Sequence, residues 1–425
     1  MSGRVDLAES GFVCEKRHVE SPDVVIVGSG IAGGALATVL AAGGIQVLTL
    51  ERQAEYRDHV RGEILWPWGV GLAQQLDVER ILLGAGATVV PGLDLYDEGT
   101  CDPLRIEVDK SFTGVEGSLN IAHPRACSAL AEAAWTAGAD IRWGVRDVQV
   151  AFGERPQVHW KSSDGIDQEA SCRLVVGADG RRSSVRSQAE IKLEVDAPAH
   201  LMAGMLVEGV EGMNLAVNVI ARESDLMFYS FPQQDGRSRL YFSFPTDQRT
   251  RFAGREGPER FLRSSRLGCL EGVADWSVAV PAGPCGTFPG ADSRAESPIR
   301  EGVVLIGDAA GYENPLQGQG LSMALQDVWD VSEALLAAES ANTDLTGYAE
   351  RRLIRRRLAD LGTILEVWMN EGCIVQDPQE RAARNAFIEA DEVLSALQLC
   401  FMTGFSSLPQ DLTQADLADR LAAHG

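Results

Sequence analysis

The stretch from Asp23 to Arg52, DVVIVGSGIAGGALATVLAAGGIQVLTLER, admits few folds. Its first run, Val24-Val25-Ile26-Val27, is β-branched, too short for a helix and ended by glycine, which predicts a buried strand. Gly28-Ser29-Gly30-Ile31-Ala32-Gly33 then places G-x-G-x-x-G at a strand-to-helix junction. There the first glycine makes the tight turn, the second lets the backbone approach a pyrophosphate, and the third lets the helix lie close to the strand. Phosphates sit on the unpaired N–H groups of the first helical turn, Ile31 and Ala32 included, where the helix dipole favours negative charge. The helix is predicted to run to about Ala42, to stop at Gly43-Gly44, and to be followed by a second strand over Ile45 to Leu50. Glu51, next to Arg52, closes that strand about 20 residues on, where an acid accepts hydrogen bonds from an adenosine ribose. Its charge repels a 2′-phosphate, so the resident nucleotide is expected to be adenosine of the FAD or NAD type.

From Val24 to Leu50 the chain carries no charge, a length that raises a transmembrane helix as the alternative. The glycines at 28–34 and 43–44 break that run into strand, helix and strand, and no membrane span is expected. A chain of 425 residues predicts two or three domains. The formal net charge of −23 repels nucleic acid and anionic membrane, leaving a small molecule as the expected partner. Eight scattered cysteines form no C-x-x-C pair and no cysteine–histidine spacing for zinc. Neither a dithiol redox centre nor a metal site is therefore expected. Residues 1–20 carry charges throughout and lack the apolar run of a signal peptide, which gives a cytoplasmic expectation.

Farther along, Pro67 suits the first turn of a helix, with Trp66 and Trp68 beside it as core anchors or pocket walls. Strands are predicted near 93–96 and 104–108, a helix from Arg125 to Ala137, and a strand at Ile141 to Trp143. A small antiparallel excursion follows over 148–160. Another buried strand, Arg173 to Val176, leads into Gly177-Ala178-Asp179-Gly180. Between about Ala199 and Thr287 short strands alternate with turns, Asp235-Gly236 among them, which predicts a mostly antiparallel sheet. Val303 to Ile306 end at Gly307-Asp308, a long helix begins near Gly320, and helices continue from Leu345. Arg351, Arg352, Arg355, Arg356 and Arg357 are expected to form a solvated helix face paired with nearby acids.

Three motifs thus follow strands: GSGIAG at 28–33, GADGRRSSVR at 177–186 and GDAAGYENPLQGQG at 307–320. In this order they resemble the FAD-dependent monooxygenases of the single-component, hydroxybenzoate-hydroxylase-like type (group A), over roughly residues 22–340. The resemblance implies an α/β fold: a Rossmann-like FAD-binding domain (22–78, 111–190 and 290–345), a mostly antiparallel β-sheet substrate domain (79–110 and 191–289), and C-terminal helices (346–425). It implies that Gly28, Gly30, Gly33 and Glu51 hold the adenosine diphosphate half of FAD. Asp179 and Gly180 would touch the diphosphate and serve NADH or NADPH, the electron donor. Asp308, after Gly307, would bond a ribityl hydroxyl, and Arg61 and Arg125 would contact the flavin nucleotide. Around Pro315, Gly318, Gln319, Gly320 and Leu321, glycines let backbone N–H groups approach the flavin ring, and the helix after Gly320 turns its positive end toward it.

The implied chemistry is the cofactor's: reduction by NAD(P)H, addition of oxygen to give a flavin hydroperoxide, and transfer of one oxygen atom to substrate. No side-chain acid or base is singled out. The substrate is expected in an apolar pocket with candidates Trp66, Trp68, Met205, Asn218, Tyr229, Phe231 and Pro315. Gly311 and Ser322 stand where family members often carry histidine and asparagine, which weighs against a phenol substrate. Residues 321–327 also resemble reductases of isoprenoid double bonds and halogenases of the same fold, but no W-x-W-x-I-P element is present. An FAD-dependent reductase or dehydrogenase of a lipid-like or polyketide-like substrate, and a non-catalytic FAD-binding protein, are the alternatives.

Overall fold

The computed structural model describes residues 5–7, 12–14, 21–60, 62–98, 102–338, 343–370 and 377–423. At its centre, β-branched runs form a six-stranded sheet in the spatial order Asp140–Trp143, Val47–Glu51, Val24–Val27, Leu174–Gly177, Val303–Leu305 and Ile299–Arg300. The first five strands are parallel and the last is antiparallel. Val24–Val27 and Leu174–Gly177 are buried along their whole length, as expected of a sheet covered on both faces. One face packs the helices Ile31–Ala42, His123–Ala137 and Gly320–Ala337 through Leu36, Leu40, Leu130 and Val328. The other packs a three-stranded antiparallel sheet, 146–171, through Val150, Val158 and Trp160.

The second large sheet contains His200–Glu208, Arg237–Phe244, Leu226–Pro232 and Val217–Glu223 as antiparallel neighbours. Gly92–Asp97 then joins Val217–Glu223 in parallel, and Leu104–Glu107 pairs antiparallel beyond it. Asp235 and Gly236 have φ of 62° and 67°, the paired left-handed conformations of a tight hairpin turn. Eight consecutive residues from His200 to Val207 are buried, so that strand has no wet face, whereas the edge strand Leu104–Glu107 is largely exposed. One face packs Phe242 against Phe252 and Phe261, and Phe228 against Trp276. The other presents Met202, Met227, Tyr229 and Tyr241, packed with Trp66, Phe231 and Leu316.

Helices Thr346–Asn370, Pro378–Ala390 and Glu392–Thr403 close the remaining side around Leu361, Leu365, Ile388 and Leu397. The arginine-rich helix departs from the expected solvated face. Arg352 and Arg356 are 4 % and 2 % exposed. Arg352 pairs with Asp327, and Arg356 with Asp292, Asp360 and Glu313. A buried guanidinium requires such partners, and most of these come from segments distant in sequence.

Candidate active site

The three glycine motifs converge on one cavity of about 1330 Å³. Gly28, Gly30, Ile31, Ala32, Glu51, Arg52, Asp179, Gly180, Gly307, Asp308, Pro315, Gly318, Gly320 and Leu321 line it. Gly33 and Gln319 lie behind the lining, and Arg61 is outside the described residues. Arg125 stands near the start of its helix, away from the cavity wall, with Nη2 3.3 Å from Asp235.

The glycines divide into two kinds. Gly28 has φ +99° and a β-carbon there would stand 2.5 Å from the Ala178 carbonyl oxygen; one on Gly33 would stand 2.0 Å from that of Gly28. These two are fixed by the chain's own packing, the turn and the close helix–strand approach. Gly30 has an ordinary φ of −71°, and a β-carbon there would meet nothing within 4 Å. Gly320 is likewise open, with no left-handed φ. Neither conformation nor protein contact requires glycine at these two places, and both face the cavity. What they leave room for is a molecule lying against the backbone at a helix N-terminus, the approach a dinucleotide makes. The residues present therefore fit FAD.

Polar groups hold the cradle in shape. Glu51, 6 % exposed, accepts the Ser29 N–H at 2.7 Å and the Gln53 N–H at 2.8 Å. Tyr56 Oη donates to the Ser29 carbonyl at 2.5 Å, and burial pushes its phenol well above the usual range. Asp179 spends its carboxylate on its own turn, accepting from Ser184 N at 2.6 Å, Val185 N at 3.2 Å and Ser183 Oγ at 2.5 Å. Its part is thus to build the second motif's turn. Arg186 ties the second motif to the third, donating to the carbonyls of Ala309 at 2.7 Å and Arg181 at 2.9 Å. Arg181 reaches Asp308 at 3.6 Å and lies 3.1 Å over the Tyr312 ring. Burial pushes the Tyr312 phenol up, and Arg181 draws it partly back.

The same cavity continues into an apolar half walled by Trp66, Met202, Ile220, Met227, Tyr229, Phe231, Tyr241, Phe288 and Phe401. Tyr229 Oη donates to the Leu316 carbonyl at 3.0 Å and Trp66 Nε1 to that of Gln317 at 2.9 Å. Two pocket aromatics thereby hold the turn that leads into Gly318. Three expected pocket residues stand elsewhere. Met205 belongs to the opposite face of its strand, among Phe228, Leu240 and Phe242, because alternation gives the cavity side to Met202. Asn218 is buried in hydrogen bonds with Asn120 at 2.7 Å and Ser118 at 2.8 Å. Trp68 donates to the Phe401 carbonyl at 3.0 Å and packs on Phe405, behind the lining. Counting by two from Tyr229 would have found Met227; nothing comparable points to Met202, whose strand is apolar on both faces.

Among the described residues no group of histidine, cysteine and acid side chains is placed to hold a metal, and no helix is long and apolar enough to cross a membrane.

Comparison with known proteins agrees with this geometry. The sequence pattern of the FAD binding domain family matches residues 21–360. The chain is 27% identical to mouse (Mus musculus) squalene monooxygenase over 326 residues, 73% of this chain and 54% of that enzyme, so the match spans about half the relative's length. It is 28% identical to rifampicin monooxygenase of Streptomyces venezuelae over 320 residues, covering 74% and 64% of the two chains. Among solved structures, p-nitrophenol 4-monooxygenase from Pseudomonas putida shares the fold, with TM-score 0.73 at 20% identity over 90% of this chain and 97% of that one.

Proposed function

The chain belongs to the FAD binding domain family of FAD-dependent monooxygenases, and from that premise we propose that it uses NAD(P)H and molecular oxygen to place one oxygen atom in a small, largely apolar organic molecule. The observation that carries this reading is that one cavity joins the open faces of Gly30 and Gly320 to the wall formed by Met202, Met227, Tyr229 and Phe231. The relatives named for squalene, a hydrocarbon, accord with an apolar substrate.

FAD, when bound, supplies electron uptake from the nicotinamide and the activation of oxygen. The backbone amides after Gly28 and Gly30 would receive its diphosphate, Glu51 its ribose, and Asp308 its ribityl chain. Those at Gly318 and Gly320 would meet the ring. The N-terminus of the helix Gly320–Ala337 stabilises negative charge beside it. Trp66 and Tyr229 fix the 315–317 turn so that these amides keep their direction. The apolar wall excludes water from the reacting end of the substrate. No side chain is needed as nucleophile or metal ligand.

The test is direct. The purified protein should be yellow, release FAD on denaturation, and consume oxygen with NADH or NADPH in the presence of substrate. One atom from labelled oxygen gas should enter the product. Product formed equally well without oxygen would move the assignment to a reductase.

A further inference from the structure

Asp58, Val60, Gly62 and Glu63 lie along the cavity side of the second sheet, and two contacts fasten them. Val60 has φ +54°, a left-handed conformation that a β-branched residue keeps only when its surroundings impose it. Its side chain, 7 % exposed, enters a notch in the second sheet made by Gly204 and Gly286, which face each other in register on neighbouring strands. A β-carbon on Gly204 would stand 2.6 Å from Val60 Cγ1, and one on Gly286 3.2 Å from Val60 Cγ2. Neither glycine has a left-handed φ; room for Val60 accounts for Gly286, and room for Val60 together with the Tyr241 ring, also 2.6 Å away, accounts for Gly204. On both sides of Val60, carboxylates close on one arginine of the same sheet. Arg239, fully buried, donates to Glu63 through Nε and Nη2 at 2.9 Å each, and to Asp58 through Nη2 at 2.7 Å. Toward the cofactor cradle, Gly62 lies against Leu321, whose Cδ1 would be 3.4 Å from a β-carbon there. Val60, Gly62 and Glu63 all line the cavity.

We propose that Val60 in its Gly204–Gly286 notch, and Arg239 between Asp58 and Glu63, are positioning residues that lock residues 58–60 and 62–63 to the substrate-facing sheet and so fix the flavin-side wall at Leu321 relative to that sheet. The inference rests on the reading of the cavity as an FAD site. A backbone held at an unfavourable φ relaxes when its anchor is removed. Both of these anchors belong to one sheet, while Glu63 also accepts the His123 N–H at 3.2 Å and its carbonyl accepts the Ile121 N–H at 2.9 Å, so these residues tie that sheet to the nucleotide fold. Arg239 acts as a two-point fork that lysine cannot copy.

The experiment compares wild type, Val60→Gly, Gly286→Val, the Val60→Gly/Gly286→Val double variant and Arg239→Lys, each purified without cofactor and titrated with FAD. Val60→Gly, Gly286→Val and Arg239→Lys should each raise the FAD Kd at least fivefold. They should also change the fine structure of the visible flavin band at saturating FAD, which a loss of global stability alone does not do. Amide hydrogens of residues 58–60, 62 and 63 should exchange faster in the cofactor-free variants. The double variant should be no worse than Val60→Gly alone, because both changes break the same contact. If Gly286→Val does not fold, Gly286→Ala crowds Val60 more gently and should show the same spectral change at smaller amplitude. Wild type that binds FAD alongside a Val60→Gly protein with the same Kd, spectrum and exchange overturns the proposal, as do additive losses in the double variant. Wild type that binds no FAD overturns the functional reading instead, while unchanged exchange in the cofactor-free variants overturns the lock independently.

Discussion

Asp327 Oδ2 lies 2.9 Å from the backbone nitrogen of Gly307 and accepts its hydrogen bond across twenty positions of sequence. The same oxygen receives Nε of Arg352 at 2.9 Å, and Arg352 Nη2 donates to the Gly307 carbonyl at 3.1 Å. Both main-chain groups of Gly307, at φ +56°, are thus held by one buried ion pair. That pair sets the turn carrying Asp308. Asp327→Leu should therefore destabilise the protein by about 3–5 kcal/mol, leaving Arg352 buried without its counter-charge. Asp327→Leu combined with Arg352→Met should recover much of that loss, since apolar replacement of a buried pair is often neutral and Arg355, the other partner of Asp327, keeps Asp330. FAD affinity should stay low in both, because the Gly307 N–H has lost its acceptor. Urea unfolding and FAD titration, run on the same samples, separate the two effects.

The two kinds of glycine in the first motif give a sharper contrast. Gly30→Val should abolish FAD retention while the cofactor-free protein unfolds near the wild-type urea midpoint, since nothing of the chain lies within 4 Å of the new β-carbon. Gly320→Val should behave the same way. Gly33→Val should lose the fold itself, because its β-carbon would stand 2.0 Å from the Gly28 carbonyl oxygen. A Gly30→Val protein that keeps FAD through gel filtration would remove this motif from the cofactor site.

Much of the nucleotide sheet is legible in the sequence because Val24–Val27, Leu174–Gly177 and Val303–Leu305 are short apolar runs leading into glycine motifs, and Gly28 takes a left-handed φ of 99° at the tight turn expected of it. The second sheet was legible as strands but not as faces. From His200 to Val207 every residue is buried, so no alternation of polarity marks which side meets the cavity, and Met205 was chosen where Met202 belongs. The arginine-rich helix misled for a different reason. Its stripe reads as solvated until Asp327, Asp330, Asp292 and Glu313 are brought to it by tertiary contacts, none of them close enough in sequence to form helical pairs. Arg239 and Val60 carried no signal at all, because their meaning lies in which partner loop or strand the fold sets beside them.

The methionine pair tests that face assignment. Met205→Ala should lower stability by about 2–5 kcal/mol, the usual range for truncation in a closed core, and leave KM for substrate unchanged. Met202→Ala opens the cavity wall and should raise KM with a smaller stability loss. Thermal unfolding beside steady-state kinetics on a turned-over substrate checks both. Equal KM effects from the two variants would mean that the strand faces are not separated as described.

Stability should also respond to pH through the cluster behind Glu313. Arg356 pairs with Asp292 and with Asp360 at 2.7 Å, while Arg294 reaches Asp360 at 3.2 Å and Asp196 at 3.1 Å from outside. Burial, with Asp292 beside it, holds the Asp360 carboxyl up at about 6 despite the pull of Arg356. An unfolded aspartate titrates near 4. Between those values the folded chain keeps a proton that the unfolded chain has released, so stability falls as pH rises from about 4 to about 6 and stays lower above that. Asp360→Asn removes the titration and still leaves Arg356 two carboxylates. The variant should therefore gain about 1–3 kcal/mol over wild type at pH 7.5 and close to nothing at pH 4. Urea unfolding of both proteins across that range supplies the comparison. An offset that is the same at both pH values would show that Asp360 is not the group that takes up the proton.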